Sequence, residues 1–223
     1  MDYVVSFLIC GIEVFLMWLY FKKLNLFKIT PVNEEETAVF KTDNKQLYGS
    51  LALVAVMMVI ATLFTVEHVT HYINHLKLIL LFGIVAAAAV VDFKQTIIPN
   101  LLILIGLGLR GAIYIAEYVL YRDAFGAQFK SDLIGFAFGF GFLFIVSLIS
   151  KNALGFGDVK LFGVIGLTAG AICTYYTLLF CLVVSAVVSA ILLILKKKGR
   201  KDSIPFGPCI AVGYFMAILL SCY

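Results

Sequence analysis

Between Asp158 and Leu195 the sequence carries a single charge, Lys160. One helix of that length would run roughly 55 Å, far more than the ~30 Å hydrocarbon core of a bilayer. The segment must therefore fold back on itself, and the reversal is placed near Ala169 to Thr174. Both resulting spans are short, which sets Asp158 close to the membrane surface. Composition supports lipid as the solvent: 63% of the residues are hydrophobic, 13% are charged and the mean hydropathy is +1.07. No soluble domain of 223 residues has enough interior for that much apolar side chain. The net charge of +4 gives no reason to expect a nucleic-acid partner; it matters through where the charges sit.

The expected fold class is all-α, a polytopic membrane protein of about eight transmembrane helices. The spans run about Tyr3–Phe21, Gly49–Val66, Leu76–Val91, Pro99–Val119 and Asp132–Ser150, then the two arms of the folded-back run, then Pro205–Cys222. Residues 1–48 form a first helix with a short polar loop, and residues 49–223 form a seven-helix core. Two further polar loops are expected, one holding Glu67, His68, His71 and His75, the other running from Tyr121 to Ser131. Pro99 suits the first turn of its helix. The N-terminal apolar run is followed by Lys22 and Lys23 rather than by a small-residue cleavage site, so it reads as a retained span.

Charge placement orients the spans. With alternating loops, thirteen basic residues fall on one side, including Lys22, Lys94, Lys151, Lys160 and the cluster Lys196 to Lys201. Only Lys77, Arg122 and Lys130 fall on the other, and Arg110 lies within a span. Basic loops mark the cytoplasmic side, so both termini are expected outside, in an inner (cytoplasmic) membrane. The five cysteines (Cys10, Cys173, Cys181, Cys209 and Cys222) lie in apolar segments without a Cys-x-x-Cys pair. They read as small buried hydrophobes, and no metal or other cofactor is expected.

Gly155-Phe156-Gly157-Asp158 stands where a polar loop enters an apolar run. An ionisable residue at the edge of the hydrocarbon is costly to keep and points to a functional site. The plain alternative is an aspartate capping a helix after a glycine turn. Asp92 ends a span running inward and Asp158 begins one running outward, so both lie on the cytoplasmic face at similar depth. They are 66 residues apart yet can be neighbours in a bundle. Two carboxylates sharing a low-dielectric site hold one proton between them. The ionised partner can take a proton from water while the protonated one polarises a carbonyl. The pair titrates as a unit, so neither role belongs permanently to either residue.

Asp92 with Ile98-Pro99-Asn100, then Gly155-Phe156-Gly157-Asp158-Val159-Lys160-Leu161, then Ile204-Pro205-Phe206-Gly207-Pro208, resembles the bacterial type IV prepilin peptidases. These are membrane aspartic peptidases of the Gly-x-Gly-Asp kind, and the resemblance covers the chain from about the third span to the end. It implies cleavage, at the cytoplasmic face, of the short leader of pilin-like precursors, with Asp92 and Asp158 as the catalytic pair. Those precursors and the lipid bilayer are the implied partners. Many members carry a larger cytoplasmic insertion with paired Cys-x-x-Cys motifs that bind zinc. This chain has no cysteine between Cys10 and Cys173, so neither the zinc nor the second activity of many members, N-methylation of the new N-terminus, is carried over.

Gly155, Gly157, Lys160, Pro99, Pro205, Phe206, Gly207 and Pro208 are expected to bind substrate or shape the site. The Pro205–Pro208 turn either shapes the cleft, presents an edge to an extended substrate or simply opens the last helix. Lys160 either neutralises the pair or marks the inner face. Glu34 to Glu36 form a solvated acidic run, and Lys196 to Lys201 a topological anchor. Glu13 and Arg110, both inside spans, could pair. His68, His71 and His75 share a face, but nothing supplies a fourth metal ligand. Gly135-x-x-x-Gly139 and Gly166-x-x-x-Gly170 suit close helix packing. Two other function classes compete: a small cation- or proton-coupled transporter, against which both aspartates lie at one face, and a non-catalytic assembly factor of a pilus or secretion system.

Overall fold

The computed structural model describes residues 2–26, 44–68, 72–149, 155–195 and 205–221. They form seven helices: α1 (Asp2–Leu26), α2 (Asn44–His68), α3 (Tyr72–Gln95), α4 (Asn100–Leu120), α5 (Arg122–Ile149), α6 (Phe156–Ile194) and α7 (Gly207–Ser221). No strand occurs among the described residues. Five helices are long and apolar enough to cross a membrane, and Leu51–Val66 and Gly207–Leu220 are shorter apolar helical runs. Together they make an all-helical, multi-pass membrane protein. Outward faces carry Leu8, Leu16, Leu104, Val119, Ile149 and Ile194, all exposed, which only lipid covers at low cost.

α3 is the axis of the bundle. Its side chains from Leu81 through Asp92 are all buried, and it packs against α1, α2, α4, α6 and α7. The run Ala86 to Ala89 lets those neighbours approach from every side. A helix apolar all round belongs in such a centre.

The reversal expected near Ala169 to Thr174 lies inside α6. Gly170 has φ 80° and ψ 179°, backbone that only glycine adopts readily. Contacts with α5 show that the chain turns back there. A side-chain carbon at Gly139 would meet both the Phe162 carbonyl and Thr174, on opposite sides of the turn. At Gly135 it would lie 2.6 Å from the Gly166 carbonyl oxygen and 2.7 Å from the Gly170 carbonyl carbon. The two small-xxx-small pairs therefore face one another, as their spacing suggests.

The first arm, residues 156–169, is about 21 Å long. A turn at that depth must satisfy its backbone without water. Arg110 Nε donates to the Leu167 carbonyl at 2.8 Å, Tyr114 donates to it at 3.2 Å, and Ala171 N–H donates to Ser131 at 3.2 Å. Arg110 also pairs with Asp132 and, at 2.9 Å, with Glu117, which Lys77 reaches at 3.4 Å. All four charged residues are buried.

Several expectations are corrected. The segment 122–131 is helical, with only Tyr121 between α4 and α5, because Phe125 and Phe129 stack on each other and against Tyr114. His75 is a buried residue of α3 bonded to Ser6 at 2.7 Å, and Glu67 and His68 belong to α2. Lys77 is a paired, buried cation rather than a loop charge. Arg110 does not pair with Glu13, which packs against Gly83 of α3. Cys10, Cys181 and Cys209 are free and buried, but Cys173 is disulfide-bonded. His71, Lys151, Ile204, the acidic run 34–36 and the basic cluster 196–201 lie outside the described residues.

Candidate active site

Asp92 sits in the last turn of α3, where its carbonyl accepts the Thr96 N–H at 2.8 Å. Thr96 takes φ 52° and redirects the chain into the extended stretch before α4. The Asp92 carboxylate is buried and accepts the Gly207 N–H at 2.7 Å. That contact joins residues 115 apart and requires glycine, since a side-chain carbon at 207 would fall 2.8 Å from Asp92 Cβ. The Pro205–Pro208 turn thus opens α7 and aims a donor at the carboxylate in one stroke. Phe206 and Pro208 flank it half-buried, and the Phe206 carbonyl accepts Ile210 N–H at 3.0 Å.

Asp158 lies in the first turn of α6, at its third residue rather than at the N-cap. Gly155 is the N-cap, without a side-chain cap bond, and its carbonyl accepts the Asp158 N–H at 3.0 Å. The Asp158 carboxylate in turn accepts a hydrogen bond from the Gly155 backbone, so it also serves the helix start as the plain capping reading expects. The Asp158 side chain is buried, with Oδ2 against Gly155 and Oδ1 without a hydrogen-bond partner. A buried carboxylate oxygen left unclaimed is costly in a structure that had to keep it. The helix N-terminus partly offsets the cost by favouring negative charge there.

The bundle brings the two carboxylates together. α3 and α6 pack directly, and the charge on Asp92 acts on Asp158. Gly157 lets α6 close onto the 96–99 segment, with Ile98 Cβ 3.0 Å from where a side chain would begin. Pro99 is the N-cap of α4 rather than its first helical residue. Lys160 does not serve the pair: its Nζ donates to Asn100 Oδ1 at 3.0 Å and lies 5.1 Å from the Phe156 ring. Two residues that motif reasoning missed border the site. Cys209, on α7, lies near both aspartates, and Cys181, on the returning arm of α6, lies near Asp158. Nothing in the sequence marks them beyond the position of Cys209 two residues past Gly207. Among the described residues no group of three or more His, Cys, Asp or Glu is placed to hold a metal.

Two buried carboxylates, one held by a backbone donor and the other with an unpartnered oxygen, are the groups that general acid–base chemistry on water needs. A family model described as the type IV leader peptidase family matches residues 79–194, which include Asp92 and Asp158 but not Gly207. The chain is similar to curated proteins named prepilin leader peptidase/N-methyltransferase. The one from Bacillus subtilis is 29% identical over 63% of this chain and 54% of that protein. The one from Pseudomonas aeruginosa is 30% identical over 64% of this chain and 48% of that protein, and the one from Pseudomonas putida 28% over 60% and 46%. The chain thus spans about half the length of the curated relatives it matches. No solved structure matches it.

Proposed function

The chain belongs to the type IV leader peptidase family, and from that premise we propose that it is a membrane aspartic endopeptidase removing the leader of pilin-like precursors at the cytoplasmic face. The observation that carries the reading is the meeting of Asp92 and Asp158, buried, from helices 66 residues apart, with Gly207 holding one and Oδ1 of the other unclaimed. The ionised carboxylate takes a proton from water as its oxygen attacks the scissile carbonyl. The protonated carboxylate gives its proton to the carbonyl oxygen, leaving a neutral tetrahedral diol. Collapse returns a proton to the departing amine and breaks the C–N bond. Because Asp92 lies near the end of α3 and Asp158 near the start of α6, the site stands at one end of the bundle, where a precursor can keep its apolar segment in lipid while its leader reaches water.

The two arms of α6 bring the proposed span count to eight, with both termini outside. Gly155, Gly157, Pro99 and the Pro205–Pro208 turn shape the cleft, and Lys160 is assigned no part in the chemistry. The reading covers the peptidase half of the relatives' name and needs no cofactor. The test is to incubate the purified chain in vesicles with a pilin-like precursor and read the product's new N-terminus by mass spectrometry. One cut at the junction of leader and apolar segment supports the reading, and intact precursor across a panel refutes it.

A further inference from the structure

We propose that the groove between α4, α5 and the first arm of α6 binds one anionic phospholipid, its acyl chain in the groove and its phosphate on Lys160 and Asn100. The groove has a volume of about 420 Å³ and is walled by Leu104, Leu107, Phe136 and Phe140, with Gly163 in its floor. Phe136 and Phe140 stack at 5.3 Å and form a flat apolar side. A peptide helix with its side chains is 10–12 Å across, so two or three turns need on the order of 1,000 Å³. The groove's volume of about 420 Å³ is too small for that and suits a single acyl chain.

Its polar end selects the headgroup. Lys160 and Asn100 are the two polar residues of the lining, bonded to each other at 3.0 Å. The ammonium lies over the Phe156 ring, and no carboxylate pairs with it among the described residues. A cation without an anion at the open end of an apolar slot complements an anionic amphiphile. In the orientation proposed above, that end faces the cytoplasmic leaflet, where anionic lipids concentrate. The lipid would sit against the arm that carries Asp158, two residues from Lys160, and would brace α4 against it. Bound lipid is read without reference to cleavage, so failure here leaves the peptidase reading standing.

Native mass spectrometry of the detergent-solubilised chain, titrated separately with dioleoyl phosphatidylglycerol and dioleoyl phosphatidylcholine, tests the site. The wild type is expected to retain one phosphatidylglycerol about fivefold more tightly than phosphatidylcholine, the effect of one basic residue at a membrane surface. Lys160→Ala and Lys160→Glu should abolish that preference, Lys160→Arg should keep it, and Leu104→Trp, which fills the groove, should weaken retention of both lipids. Equal retention of the two lipids by the wild type, or an unchanged preference in Lys160→Glu, overturns the proposal. So does a photoreactive residue at 104 that cross-links the precursor's apolar segment and no lipid.

Discussion

At the scale of single residues the site depends on Gly207 as much as on either aspartate. Its N–H holds the Asp92 carboxylate at 2.7 Å, and the backbone approaches so closely that no side chain fits. Gly207→Ala must therefore displace either α7 or Asp92, and we expect cleavage to fall by tenfold or more. The folded chain should lose only about 1–3 kcal/mol, a typical cost of overpacking, measured by thermal denaturation in detergent. The aspartates stand out in the sequence because a charge beside an apolar run is rare, and the structure buries both. The Gly207 donor was legible only as part of a turn motif, since no pattern tells that a residue 115 positions away will fold back onto a carboxylate. Lys160 could be read two ways, as a partner of the aspartates or as a mark of the inner face; two residues along a helix is more than half a turn around it, and the side chain reaches Asn100 instead.

Among the elements, α6 decides the architecture. The length of its apolar run forces a reversal, and Gly170, at φ 80°, is where it occurs. Gly170→Ala should cost at least about 1–3 kcal/mol, because the backbone there is nearly closed to residues with a side chain; a drop in melting temperature checks this. Chain length and hydropathy were enough to predict that turn. They could not show that 122–131 is helical, because its polar residues resemble a loop and its stability comes from Phe125 and Phe129 meeting Tyr114 on the preceding helix. Similarly, Glu117 and Asp132 look like loop-edge charges until α4 and α5 are paired.

For the whole molecule, the reversal of α6 and the buried charges of α4 and α5 are one device. Arg110 satisfies the Leu167 carbonyl and both acidic partners at once. Arg110→Met leaves Glu117 with Lys77 and Asp132 with only the neutral donors Tyr114 and Gln128, and we expect a loss of about 3–5 kcal/mol, the usual cost of breaking a buried pair from one side. Removing Arg110 and Asp132 together should cost less than the sum of the single changes, which a double-mutant cycle measures. The proposed orientation makes its own prediction. A cysteine placed in the 27–43 segment of a cysteine-free variant should react with an impermeant maleimide only in inside-out vesicles. Labelling from the outside would reverse the topology and put the aspartates on the wrong face.

The most direct measurement compares cleavage of a pilin-like precursor by wild type, Asp92→Asn and Asp158→Asn at matched amounts of protein in vesicles. Each amide keeps the size of the carboxylate while removing its ability to exchange a proton. Both variants should lose at least about a hundredfold in rate, as removal of a general acid or base does, with unchanged melting temperature. Full activity in either variant would contradict the two-carboxylate mechanism.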